Sequence, residues 1–163
     1  MNNIKNKKAF SMIELIFVIV IIGILSAVAV PKLAATRDDA EITKGMTTLT
    51  SVRNALSIER QKRILRGSFT QITAVGDATN VFGNFSDSTG DTGVSVLEYP
   101  LPSKKQKYHW NWHGSNGWYA YCLNDACTGN SDAVWFKVEN GKFVCKEISA
   151  DYGACSTLGV TEG

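Results

Sequence analysis

The chain lacks the residue patterns that carry out reactions. It has no G-x-S-x-G elbow, no glycine-rich phosphate loop and no nucleophile spaced beside a base, so an enzyme is not expected. Its two histidines, His109 and His113, are four residues apart. On a strand that spacing exceeds about 13 Å, too far to share a metal ion, and both read as surface residues. No internal repeat is present. Residues 1–9 contain no acidic residue, and beyond residue 30 neither sign of charge is in excess: fourteen Lys or Arg face fourteen Asp or Glu. The formal net charge of +2 is therefore a property of the N-terminus, contributed by Lys5, Lys7 and Lys8. It gives no support to general nucleic-acid binding and reads as a topology signal, because basic residues stay on the cytoplasmic side. Cysteine is absent before Cys122, and no CxxC pair occurs.

Against these absences stands one long hydrophobic run, Phe10 to Val30, interrupted by a single carboxylate, Glu14. As a helix its 21 residues span about 31 Å, close to the hydrocarbon thickness of a bilayer. A carboxylate at the centre of such a segment costs ~2.5–3.5 kcal/mol on insertion scales, and less near the interface. Glu14 is therefore expected to find a positive partner inside the membrane. Ala27-Val28-Ala29 has the form of an ordinary secretory cleavage site, which would release a soluble domain from Val30. Glu14 and a helical pattern that runs straight through the site speak against it.

Helical character resumes after Pro31, a residue that normally stops or kinks a helix. Asp38, Asp39 and Glu41 precede an apolar stripe at Ile42, Met46, Leu49, Val52 and Leu56, spaced at the helical period. Arg60, Lys62, Arg63 and Arg66 crowd the end and Gly67 follows, a helix stop. One helix is expected over about 11–66, with a weak point between Gly23 and Pro31. Residues 67–93 are rich in Gly, Ser, Thr, Asn and Asp and read as a long variable loop pinned by Phe69, Val81, Phe82 and Phe85. Strand candidates follow at Val94–Leu97, Lys107–Trp112, Trp118–Cys122, Ala133–Val138 and Lys142–Ile148. Gly114-Ser115-Asn116-Gly117 and Glu139-Asn140-Gly141 are the hairpin turns. The fold class is α+β: a long N-terminal helix whose amphipathic half covers an antiparallel sheet of roughly four strands. The segments are 1–9, a basic leader; 10–30, the apolar helix; 31–66, the amphipathic half; 67–93, the loop; and 94–163, the β head.

Residues 5–31 read Lys-Asn-Lys-Lys-Ala-Phe-Ser-Met-Ile-Glu-Leu-Ile-Phe-Val-Ile-Val-Ile-Ile-Gly-Ile-Leu-Ser-Ala-Val-Ala-Val-Pro. This segment closely resembles the class III signal of type IV pilins and type II secretion pseudopilins. The resemblance implies cleavage by a prepilin peptidase between Ala9 and Phe10, and N-methylation of Phe10. It places Glu14 at the family's glutamate and Pro31 at its helix-distorting proline. The family usually has glycine before the cut. Ala9, the next smallest residue, is expected to permit processing at a lower rate. The new amine at Phe10 then lies within one helical turn of a carboxylate, and pairing with the Glu14 of a neighbouring subunit would remove the cost of burying that charge. Pairing with the subunit's own amine, or a protonated Glu14, are the alternatives. Local melting at Gly23 and Pro31 in an assembled filament would make it extensible.

The resemblance further implies that a disulfide fastens the last segment to the sheet. An even number of cysteines in an exported domain favours two bridges among Cys122, Cys127, Cys145 and Cys155 over a metal site. Cys122–Cys127 with Cys145–Cys155 closes two local loops; Cys122–Cys145 with Cys127–Cys155 is the alternative. No cofactor is expected. Some major pseudopilins hold calcium in a loop of this region, which makes Asn124, Asp125, Asn130 and Asp132 a candidate calcium set. They lack EF-hand spacing and are ordinary turn formers. The aromatics Tyr108, Trp110, Trp112, Trp118, Tyr119, Tyr121, Trp135 and Phe136 read as sheet core, with subunit contact or capture of an exported substrate as the other use. The Arg60–Arg66 cluster with Lys104, Lys105 and Lys107 reads as helix-end and solvated charge, or as a DNA contact if the filament serves uptake.

The expected function is a pilin or pseudopilin of a type IV pilus or type II secretion filament. It would sit in the inner membrane as a single pass with a cytoplasmic N-terminus and a periplasmic head, extracellular if it forms a pilus. Its partners would be like subunits, the prepilin peptidase and the inner-membrane assembly platform. A competence pseudopilin for DNA uptake and a non-polymerising, membrane-anchored binding module are the alternatives.

Overall fold

A computed structural model describes residues 10–114, 117–128, 131–146 and 154–161, without the side chains of residues 34, 35 and 154. Helix α1 runs Met12–Leu65. The chain divides into two compact units, Met1–Ala40 and Glu41–Gly163. The described part of the first is residues 10–40, helical from Met12. The second holds the rest of α1 and two antiparallel sheets.

Within the second unit the stripe read from the sequence turns inward. Leu49, Val52 and Leu56 are buried, with Ile42 and Met46 packed at the core's edge. Over the next two turns the same stripe becomes polar: Glu59 and Arg63 are both buried. The Arg63 guanidinium donates to Glu59 Oε1 at 3.1 Å and to Asp87 Oδ2 at 2.8 Å. It ties the last turns of α1 to the first sheet. The helix then ends where Gly67 was expected to stop it. Gly67 has φ +74°, its N–H reaches the Ile64 carbonyl, and the Ser68 N–H reaches the Arg63 carbonyl. This is the Schellman arrangement.

The first sheet corrects the reading of residues 67–93 as a loop. It contains β1 (Ile72–Gly76), β2 (Asn80–Asp87) and β3 (Gly90–Ser95), in that order, with the short β4 (Leu101–Pro102) pairing with the start of β2. Register shifts interrupt both the β1–β2 and the β2–β3 ladders. Such bulges destroy the period-two alternation by which strands are recognised. Val81 and Phe82 are adjacent yet both fully buried, because Phe82 takes the left-handed φ of +62°. Gly76 makes room for this. A Cβ there would lie 2.5 Å from the Phe82 nitrogen and 2.6 Å from the Asn80 oxygen. The Asp residues that suggested a loop form tight turns: Asp77 Oδ1 accepts from the Thr79 and Asn80 N–H groups, and Asp87 Oδ1 from that of Thr89.

The second sheet follows the expected hairpins. Its strands β5 (Trp110–His113), β6 (Trp118–Cys122), β7 (Ala133–Glu139) and β8 (Lys142–Cys145) pair in sequential order. The expectation of a single sheet of roughly four strands thus becomes two, and Val94 and Ser95 belong to β3. Asn140 and Gly141, with φ +51° and +68°, form the primed turn that Asn-Gly favours. The end of the expected strand, at residues 147 and 148, and the turn residues Ser115 and Asn116 lie outside the described residues.

Alternation sorts the aromatics. Trp110, Tyr119, Tyr121 and Phe136 face the core, where Phe82 lies 4.9 Å from Trp110, 5.9 Å from Tyr119 and 5.7 Å from Phe143. Tyr108 and Trp112 pack at the core's edge, while Trp118 and Trp135 cluster on the other face with Ala120, Cys122 and Cys127. The two core tyrosines reach out of the sheet. The Tyr119 hydroxyl accepts from the Val75 N–H at 2.9 Å, and the Tyr121 hydroxyl donates to the Glu41 carbonyl at 2.7 Å. Gly45 lets α1 lie against Tyr121: a Cβ there would be 2.7 Å from the ring.

Two consequences are testable on the full chain in detergent, followed by tryptophan emission. Arg63→Ala leaves the buried Glu59 carboxylate without its cation and should cost about 3 kcal/mol in a urea titration; an unchanged midpoint would contradict the ion-pair account. Burial pushes the Tyr119 hydroxyl up to about 12, against the Val75 N–H, which lowers it. The unfolded chain therefore loses this proton first, and stability should fall as pH rises from about 10 toward 12. Tyr119→Phe should be less stable at pH 7 by about 1 kcal/mol, yet lose less on going alkaline; an alkaline limb as steep as that of the unaltered chain would contradict this.

Candidate functional site

The N-terminal unit has the composition and exposure of a membrane segment. Its apolar side chains are uncovered, from Phe10 at 82% exposure to Ile21 at 40%. A globular protein buries such residues, so the surface calls for lipid or for other chains. It is the one described helix long and apolar enough to cross a membrane.

The start of this helix positions its single charge. Helix α1 begins at Met12, and the Ser11 carbonyl accepts from the N–H groups of Glu14 and Leu15 at 3.1 and 3.2 Å. Ser11 thus occupies the cap position and Glu14 lies in the first turn, where the unsatisfied N–H groups favour a negative charge. Ser11-Met12-Ile13-Glu14 also has the capping-box form. That signal is legible in the sequence and adds Ser11 to the residues that set the geometry around Glu14. Phe10 precedes the helix and is exposed. Ala9 lies outside the described residues. At Gly23 a Cβ would meet nothing within 4 Å. Pro31 sits inside the helix without breaking it. Having no N–H, it leaves the Ala27 carbonyl without its usual donor one turn ahead, a local weakness in the hydrogen-bond ladder.

The cysteines form Cys122–Cys127 and Cys145–Cys155, the two local loops. The first closes the chain just after β6. The second joins the end of β8 to a short helix, α2 (Ala154–Thr157).

Three of the candidate calcium oxygens take part in hydrogen bonds within the chain. Asn124 Oδ1 accepts from the Ala126 and Cys127 N–H groups, its Nδ2 donates to Asp132 Oδ1, and Asp125 Oδ1 accepts from the Lys107 N–H. Asn130 lies outside the described residues. Among the described residues no three of His, Cys, Asp and Glu are grouped to hold a metal ion. His109 Nδ1 is 3.0 Å from the Lys107 carbonyl, and His113 meets the Trp135 ring edge-on at 5.0 Å. Arg60 and Lys104 line different cavities: Arg60 a groove of about 370 Å³ with Arg53 and Lys142, and Lys104 a cavity with Lys44 and Tyr121. Arg63 is taken up by its two carboxylates.

With the geometry in place, comparison with known proteins identifies one feature. Residues 4–30 match the family described as the prokaryotic N-terminal methylation motif. The chain carries the class III prepilin signal of type IV pilins and pseudopilins, and that signal implies processing by a prepilin peptidase. No curated protein and no solved structure matches the chain.

The Cys145–Cys155 bridge sets a third prediction. In the purified full chain, Cys155→Ser should lower the urea midpoint by the equivalent of about 2–4 kcal/mol, and a reductant should then have a smaller further effect than on the unaltered chain. An unchanged midpoint would show that the bridge holds nothing in place.

Proposed function

We propose that this chain is a structural subunit, a pilin or pseudopilin, of a type IV pilus or type II secretion filament assembled from the inner membrane. The observation that carries this is a single carboxylate, Glu14, in the first turn of an exposed apolar helix that begins within a prepilin signal. Cleavage between Ala9 and Phe10 exposes an amine at Phe10, which is then N-methylated. Before assembly the Glu14 carboxylate is near the bilayer interface, where its cost is lowest. When a subunit joins the filament, its amine meets the Glu14 of its neighbour, and each charge neutralises one that would otherwise be buried alone. A subunit out of register leaves both unpaired, so the pair selects one axial position. The head stays outside the membrane, in the periplasm or beyond it. Two disulfides suit that oxidising compartment.

Gly23 and Pro31 are the positions at which this helix stretches under load. Helices that pack around them in the filament would compensate the missing hydrogen bond.

Glu14→Ala should insert in the membrane normally and yield intact monomer, while multimer ladders from crosslinked cells fall at least tenfold. Glu14→Asp, with its shorter reach, should give an intermediate ladder. Normal filaments in Glu14→Ala would refute the proposal.

A further inference from the structure

The groove between α1 and the edge strand β8 gathers positive charge and supplies nothing to neutralise it. Arg53, Ser57 and Arg60 follow one another at steps of four and three, on one side of the helix. They face Lys142 of β8 across a space of about 370 Å³, with Phe143 and Val144 beneath. Among the described residues no Asp or Glu lines this space, and none of its three cations is in an ion pair. Arg63, one turn beyond Arg60, shows the contrast, since two carboxylates hold it.

Two of the cations are fixed in place without being satisfied. Arg53 is half-buried, and its Nε donates to the Phe143 carbonyl at 3.0 Å. That bond anchors the side chain to the sheet edge and leaves the other donors of its fork for a ligand. Burial pulls the Arg53 pKa below the ordinary arginine value, and no carboxylate offsets the lost hydration. A Cβ at Gly141 would come 3.7 Å from Arg60 Cδ, so the stem of Arg60 lies along the turn between β7 and β8. Ser57 adds a donor. Thr47, Thr48, Thr50 and Ser51 each bond back to a carbonyl of α1, whereas among the described residues the Ser57 hydroxyl has no such bond.

We propose that this groove binds an extended acidic segment of another protein, whose carboxylates meet Arg53 at one end and Arg60 with Lys142 at the other. The two arginines stand about 10 Å apart along the helix, so one small anion does not reach both. Carboxylates four residues apart on one side of an extended chain are about 13 Å apart, a span that long Arg and Glu side chains bridge. Each guanidinium can take a carboxylate on two N–H groups at once. Single-stranded nucleic acid fits the groove less well, because its bases need exposed rings to stack on. The one aromatic lining the groove, Phe143, is 2% exposed. The site lies within the head and does not depend on the filament reading.

The test uses the full chain in detergent and a short fluorescein-labelled peptide with two glutamates four residues apart, followed by fluorescence anisotropy. Saturable binding is expected, weakened several-fold by salt and lost when both glutamates are replaced by glutamine. Arg53→Gln with Arg60→Gln should weaken it at least about tenfold while tryptophan emission is unchanged. If that pair disturbs the emission, Arg60→Gln with Lys142→Gln, both exposed positions, carries the same expectation. Lys62→Gln, at an exposed basic residue outside the groove, should leave binding within about twofold. No binding of the glutamate peptide, equal binding of the glutamine peptide, or equal weakening by Lys62→Gln would overturn the site. A single-stranded oligonucleotide that binds more tightly than the peptide, and is weakened by the same paired substitution, would also overturn it and assign the groove to phosphates.

Discussion

An ionised carboxylate does not rest comfortably in hydrocarbon, and Glu14 is the only charge between Phe10 and Val30. Its environment must therefore provide an opposite charge, a proton or water. The helix supplies a partial answer through its own N-terminus, since Ser11 caps the first turn and Glu14 falls among the unsatisfied N–H groups. That placement lowers the cost of waiting in the membrane without removing it. On the proposed account, the remainder is what makes assembly selective: the charge is fully compensated only where another subunit's amine arrives.

The head has a different task, to hold one face of α1 firmly. Inward, the helix is fixed by apolar packing at Leu49, Val52 and Leu56, by the close contact of Gly45 with Tyr121, and by the ion pairs of Arg63 with buried Glu59 and with Asp87. Outward it presents small, back-bonded hydroxyl residues and two exposed aliphatics. The disulfides brace the loop after β6 and anchor the C-terminal segment to β8.

The parts legible in the sequence are those where one local rule dominates. The stripe from Ile42 to Leu56 follows the helical period without interruption, Gly67 supplies the left-handed residue a helix stop requires, and Asn140-Gly141 supplies two for a primed turn. The prepilin signal is likewise a contiguous pattern. The first sheet was not legible because its geometry is non-periodic. Bulges in β1 and β2 and the left-handed φ of Phe82 put neighbouring residues on one side, and Asp77 and Asp87 look like loop residues when they are tight turns between short strands. Arg63 reads from the sequence as part of the basic helix end and Glu59 carries no signal there, since nothing local announces that Asp87 will come to meet Arg63. Ser11 could have been found from its spacing to Glu14.

The central claim is that a free amine at Phe10 exists to neutralise a neighbour's Glu14. Its most direct test is the mass of the N-terminal peptide from the protein purified out of native membranes. The account predicts a chain that begins with N-methylated Phe10. A chain that retains Met1 in assembled fibres would leave no amine beside the carboxylate, and one that begins at Val30 would lack the carboxylate itself; either would contradict it.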